Sequence, residues 1–112
     1  MIASVAIAEF EELAAPLERL GAHRAELLGR PVMTLEGRMF ACLDDTDLAV
    51  RLGRWTPEYE AALDVPGASI FSPGTSGRTF NDWVELPLAS ADVWHRFAID
   101  ALSHVMAFPA RR

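Results

Sequence analysis

Residues 38–52 read Arg38-Met39-Phe40-Ala41-Cys42-Leu43-Asp44-Asp45-Thr46-Asp47-Leu48-Ala49-Val50-Arg51-Leu52. Two apolar runs flank an acidic, turn-forming centre. In the second run Leu48, Val50 and Leu52 alternate with Ala49 and Arg51, the period of a half-buried strand. Alternation in the first run predicts Met39, Ala41 and Leu43 on one face, with Phe40 and Cys42 on the other. Two adjacent antiparallel strands joined by a short Asp-rich loop are therefore expected here.

Upstream of this pair, Val32 to Leu35 is a short strand and Glu36-Gly37 a turn. Further back, Phe10, Leu13, Ala14 and Leu17 have helical spacing, with Glu9, Glu11, Glu12 and Glu18 on other faces. The helical part is predicted to extend to Leu27 and Leu28, and to kink or break at Pro16, which lacks an N–H. Downstream, Thr56-Pro57 opens a short helix with Tyr59, Ala62 and Leu63 as its buried stripe. Pro66-Gly67 stops it. Ile70-Phe71 is a brief strand and Trp83 to Leu86 a last one. Ser90 is read as the cap of a final helix, with Asp92 in its first turn. Trp94, Phe97, Ala98, Ala101, Leu102 and Val105 form its apolar face, and Pro109 ends it.

The expectation is a single α+β domain over 1–112, with order α-β-β-β-α-β-α. Helices at both chain ends pack on an antiparallel sheet of four to five strands. The chain has 112 residues, 51% of them hydrophobic, enough for a core without disulfides or metal. Cys42 is the single cysteine, which fits a reducing cytoplasm. The N-terminal apolar stretch lacks a basic flank and meets Glu9, Glu11 and Glu12, unlike a signal peptide. No apolar run reaches the length of a membrane helix.

Ten basic residues stand against 16 acidic ones, a formal charge of −6. A surface of that sign repels nucleic-acid phosphates and anionic lipids. Every basic residue is Arg, which removes lysine Schiff-base chemistry and the P-loop lysine.

Candidate chemistry is sparse. His95 and His104 point to opposite sides of the last helix at about 100° per residue. His104 can pair with Asp100, and His23 with Glu26. Asp44-Asp45-Thr46-Asp47 starts like a calcium loop, but Ala49 and Val50 stand where an oxygen ligand and glycine belong. Cys42 reads as a small core residue. No G-x-S-x-G elbow occurs. Ser72-Pro73-Gly74-Thr75-Ser76-Gly77-Arg78 is the one loop whose backbone and arginine suit an anion. Arg78, Phe80 and Trp83 are accordingly the candidate binding residues, with Trp55 as another aromatic anchor.

Several segments resemble one known family. They are Gly37-Arg38-Met39-Phe40-Ala41, Leu48-Ala49-Val50-Arg51-Leu52, Pro66-Gly67-Ala68, and Gly77-Arg78-Thr79-Phe80-Asn81-Asp82-Trp83-Val84-Glu85-Leu86-Pro87. Their order and spacing over 29–106 resemble the TfoX N-terminal domain family, which is related to YjbR-like proteins. The resemblance implies a type III secretion chaperone-like α+β fold, no catalytic residue and no cofactor. The leading expectation is a non-enzymatic, cytoplasmic protein-interaction domain with a possible regulatory role, self-associating as a homodimer. Two alternatives stand beside it: a nucleic-acid-linked competence regulator, and a small-molecule binder at the Arg78 loop and Trp83.

Overall fold

The computed structural model describes residues 2–72 and 77–108. Helix α1 (Ile2–Arg19) is followed by β1 (His23–Leu27), β2 (Arg30–Leu35), β3 (Arg38–Asp44) and β4 (Asp47–Arg51). Then come α2 (Pro57–Leu63), β5 (Ser69–Phe71), β6 (Phe80–Leu86), a 3-10 helix (Leu88–Val93) and α3 (Trp94–Ala107). The class is α+β as expected, but among the described residues the sheet has six strands rather than four to five, all antiparallel, in the order β1-β2-β3-β4-β6-β5.

The additional strand is β1, where the sequence suggested helix up to Leu27 and Leu28. Gly21 explains the difference. At φ +106° it takes the left-handed conformation that reverses a helix end. Gly21 N–H then donates to Glu18 O at 3.1 Å, and Ala22 N–H to Leu17 O at 3.1 Å, the paired bonds of a Schellman cap. The helix stops, and His23 starts a strand. The expected break at Pro16 does not occur, because α1 runs through it as one helix. Leu13, Ala14 and Leu17 are all buried, so packing on both sides of the proline holds the axis together.

The three hairpins from β1 to β4 have two-residue loops: Leu28-Gly29, Glu36-Gly37 and Asp45-Thr46. The first two have positive φ at both loop residues, the twist that matches antiparallel strands. Between β2 and β3 the register shifts, from Met33 opposite Ala41 to Thr34 opposite Met39. Phe40 is the extra residue of a β-bulge. This corrects the alternation predicted for β3. Phe40, Ala41 and Leu43 share the face that packs on the helices, while Met39 and Cys42 share the other. Leu48 and Val50 of β4, and Leu52 just beyond its end, do lie together in the helix-side core.

Helices α1 and α3 cover one face of the sheet. Phe10, Phe40, Trp94 and Phe97 fill that interface, fully buried with Met33, Leu48, Val50 and Leu86. Arg38 ties β3 to the end of α3, donating to Phe108 O at 2.8 Å and to Val105 O at 3.0 Å. Those are carbonyls with no helical partner. Thr56 caps α2 as expected, accepting from Tyr59 N–H at 3.1 Å. Tyr59 and Ala62 are buried there, and Leu63 is half-buried. Ser90 does not cap α3. It lies inside the 3-10 helix and donates to Pro87 O at 2.8 Å, while Val93 occupies the cap position. The expected stop at Pro109 lies outside the described residues. Among the described residues no helix is long and apolar enough to cross a membrane.

Candidate binding groove on the open sheet face

Among the described residues, no helix lies on the second face of the sheet. Its residues come in rows dictated by register. Ala25 stands opposite Val32, Val32 opposite Cys42, Cys42 opposite Ala49, and Ala49 opposite Glu85. Val32, Cys42, Phe71 and Trp83 are nonetheless buried, in a cluster separate from the helix-side core, with Ala49 beneath them. Curling of the sheet accounts for this. Strand twist bends an antiparallel sheet, and the bulge at Phe40 sharpens the bend. Small side chains at Cys42 and Ala49 then leave the middle of the curl hollow.

The hollow is a cavity of about 320 Å³ lined by Leu27, Leu28, Arg30, Val32, Met39, Cys42, Phe71 and Phe80. The β1–β2 turn forms one wall, with Leu27 and Leu28 exposed. Leu28 is 93% exposed at φ +53°, a large apolar side chain held in solvent by its turn. The aromatic wall opposite is Phe71, whose ring lies edge-on to Phe80 at 5.7 Å and tilted against Trp83 at 5.9 Å. Such pairs hold their rings in place beyond simple burial.

Charge sits at the margin. Arg30 Nη1 is 3.0 Å from Asp44 Oδ1. Glu85 is pushed up to about 7, first by burial, then by the hydrogen bond its protonated carboxyl donates to Asp47 and by the charges of Asp47 and Asp44. The Cys42 thiol is pushed up to about 12, mainly by burial and next by Asp44. It remains a neutral thiol at physiological pH, without the thiolate character a nucleophile needs. Among the described residues no set of His, Cys, Asp or Glu is placed to hold a metal ion.

Two of the three binding residues expected from sequence meet at this groove. Phe80 lines it, and Trp83 supports Phe71 from behind. Arg78 stands beside them, its guanidinium 6.0 Å from the Phe80 ring, with its backbone carbonyl accepting from Ser72 Oγ at 2.7 Å. Of the expected anion loop, Ser72 to Arg78, residues 73–76 lie outside the described residues. Trp55 is elsewhere, 78% exposed at the start of α2. The expected helical pair of His23 with Glu26 is replaced by a strand, on which residues three apart face opposite sides. The His104 ring packs on Gly53 and lies 4.8 Å from Phe108.

Sequence patterning does not mark Leu27, Leu28, Val32, Met39 and Phe71 as groove residues. A signal exists for the first two. With Gly21 as a helix stop, Leu27-Leu28-Gly29-Arg30 reads as a hairpin turn with exposed leucines. No family model matches the chain, and no curated protein or solved structure matches it.

Proposed function

We propose that this chain is a non-enzymatic interaction domain that uses the open-face groove to seat an apolar anchor, a Leu or aromatic side chain, presented by a protein partner. The observation that carries this reading is the composition of the groove wall. Small-molecule sites combine apolar walls with a few convergent polar groups that fix a ligand's orientation. Here the one charged residue among the described lining residues, Arg30, already engages Asp44. A hollow of about 320 Å³ with exposed Leu27, Leu28 and Phe80 at its rim suits a hydrophobic anchor surrounded by backbone. The neutral Cys42 thiol adds an apolar floor rather than a reactive one. The TfoX N-terminal-like reading belongs to the same proposal. Its segments fall on β3, on β4, on the α2–β5 connection and on β6 with its approach, and it supplies no catalytic residue.

A displayed library of random peptides selected against the intact chain tests this. Binders are expected to be enriched in Leu, Phe and Trp, and to lose binding to Val32→Arg, which fills the groove with charge while circular dichroism shows the fold retained. A set of binders indifferent to Val32→Arg and to Phe80→Ala would overturn the groove as the binding surface.

A further inference from the structure

The sheet has two edges, and they are finished differently. β5 is three residues long and its pairing with β6 slips between Ile70 and Phe71. A short, irregular edge of that kind resists pairing with another chain. β1 is the opposite case. It pairs with β2 in unbroken register over five residues, every one of them exposed, and it contains neither proline nor bulge.

We propose that two copies of this chain pair antiparallel along β1, on a two-fold axis passing beside Ala25. The inference stands apart from the groove reading and is carried by register and charge. Leu28-Gly29 is a two-residue hairpin loop, so its flanking pair, Leu27 with Arg30, is the first hydrogen-bonded pair of the ladder. Pairs then alternate. Ala25 with Val32 is hydrogen-bonded, whereas Glu26 with Pro31 and Arg24 with Met33 are not. Pro31, which has no N–H to give, stands where the β1–β2 ladder needs none from β2. It follows that the N–H and C=O of Arg24 and Glu26 point away from β2, out of the sheet edge.

A two-fold axis beside Ala25 places Arg24 of one copy opposite Glu26 of the other, and the reverse. Those are the residues with outward backbone groups, so each pair exchanges N–H···O bonds in both directions. The side chains at these positions are of opposite charge, which stabilises a cross-strand pair. Centring on Arg24 or on Glu26 instead sets like charges face to face. The strand His23-Arg24-Ala25-Glu26-Leu27 is thus complementary to its own reverse in one register. Arg24 is also oriented for the role, since Glu11 and Glu18 of α1 hold its guanidinium on the helix side of the sheet. Glu26, two residues along the same strand, projects to that same side. The symmetry is that of an isologous dimer, and the pairing continues the sheet from one copy into the next.

Ala25 of the two copies would form a non-hydrogen-bonded pair, with Cα atoms about 4.5 Å apart, within reach of a disulfide. The test is sedimentation of the full chain, together with cross-linking of Ala25→Cys by diamide in a Cys42→Ala background. The wild type is expected to be a dimer at sub-millimolar concentration, and Ala25→Cys to cross-link rapidly. His23→Cys, also exposed but offset from its copy across the axis, is expected to cross-link far less. Glu26→Arg sets Arg24 against Arg and is expected to raise the dimer dissociation constant by about tenfold or more. Glu26→Pro removes an outward N–H without touching a β1–β2 bond, and is expected to give a folded monomer, its fold checked by circular dichroism. A monomeric wild type, or equal cross-linking at 23 and 25, would overturn the inference. A dimer that survives Glu26→Pro would place self-association on another surface and overturn it as well.

Discussion

Leu48 and Val50 face the helices from β4, with Leu52 just past its end, and Ala49 alone represents that strand in the cluster behind them. The same contrast holds in β2 and β3, where Met33, Phe40 and Leu43 pack under α1 and α3 while Val32 and Cys42 face away. One sheet thus carries a face of large side chains sealed by helices and a face of small ones left hollow. Large residues supply burial, and with it stability. Small residues flanked by aromatic walls supply space. The covered surface carries the folding energy, and under the proposed function the hollow one is left for recognition.

The heaviest blow to the covered face is Phe97→Ala, which opens a cavity between α3 and the sheet. It is expected to cost about 3–5 kcal/mol in urea unfolding. A loss below about 1 kcal/mol would mean that α3 does not seal this face. Gly53→Ala probes the margin of the same packing. A Cβ there would come within 2.3 Å of the His104 ring, at a backbone φ of +83°. A loss of about 1–3 kcal/mol is expected, read from the same unfolding curves. On the open face, Phe80→Ala should cost under about 1 kcal/mol, because Phe80 is 37% exposed, yet abolish binding of groove-selected peptides. If it unfolded the chain as severely as Phe97→Ala, the two faces would not be separable.

The open face should also give the chain a pH signature. Glu85 holds its proton to about pH 7 in the folded chain, against an ordinary value of 4.5. Its contribution to stability is therefore complete below about pH 4.5 and is lost as pH rises through about 7. His104 acts in the opposite sense. Burial, then Arg51, pushes its imidazole down, so its contribution is lost as pH falls. The informative quantity is thus the difference between wild type and Glu85→Gln. The variant should show a smaller decline in thermal midpoint from pH 5 to pH 8. Parallel curves would remove the Glu85–Asp47 proton from the account.

The contrast between faces was partly legible in the sequence. β4 alternates strictly, so its inner and outer residues could be separated at sight. The strip Trp94, Phe97, Ala98, Ala101 was equally plain as the buried face of a helix. β3 misled, because a bulge inserts one residue and resets the alternation after Phe40, and no local pattern in Met39-Phe40-Ala41 announces it. β1 was hidden by helical-looking residues. His23-Arg24-Ala25-Glu26-Leu27 has no strong β preference and is made a strand by the Schellman cap at Gly21 and the turn at Leu28-Gly29. Phe80 and Trp83 were found as aromatics near a loop. The groove itself depends on sheet curl and on Phe71 meeting the β1–β2 turn, a long-range juxtaposition that periodicity does not encode.

The three tryptophans offer the most direct test of the division of labour. Trp83 backs the groove, Trp94 is sealed in the helix-side core, and Trp55 is in solvent beside α2. In a ¹H–¹⁵N NMR titration with a selected groove peptide, the indole N–H signal of Trp83 should move while those of Trp94 and Trp55 stay in place. Movement of Trp94 or Trp55 with Trp83 unperturbed would contradict the open face as the recognition surface.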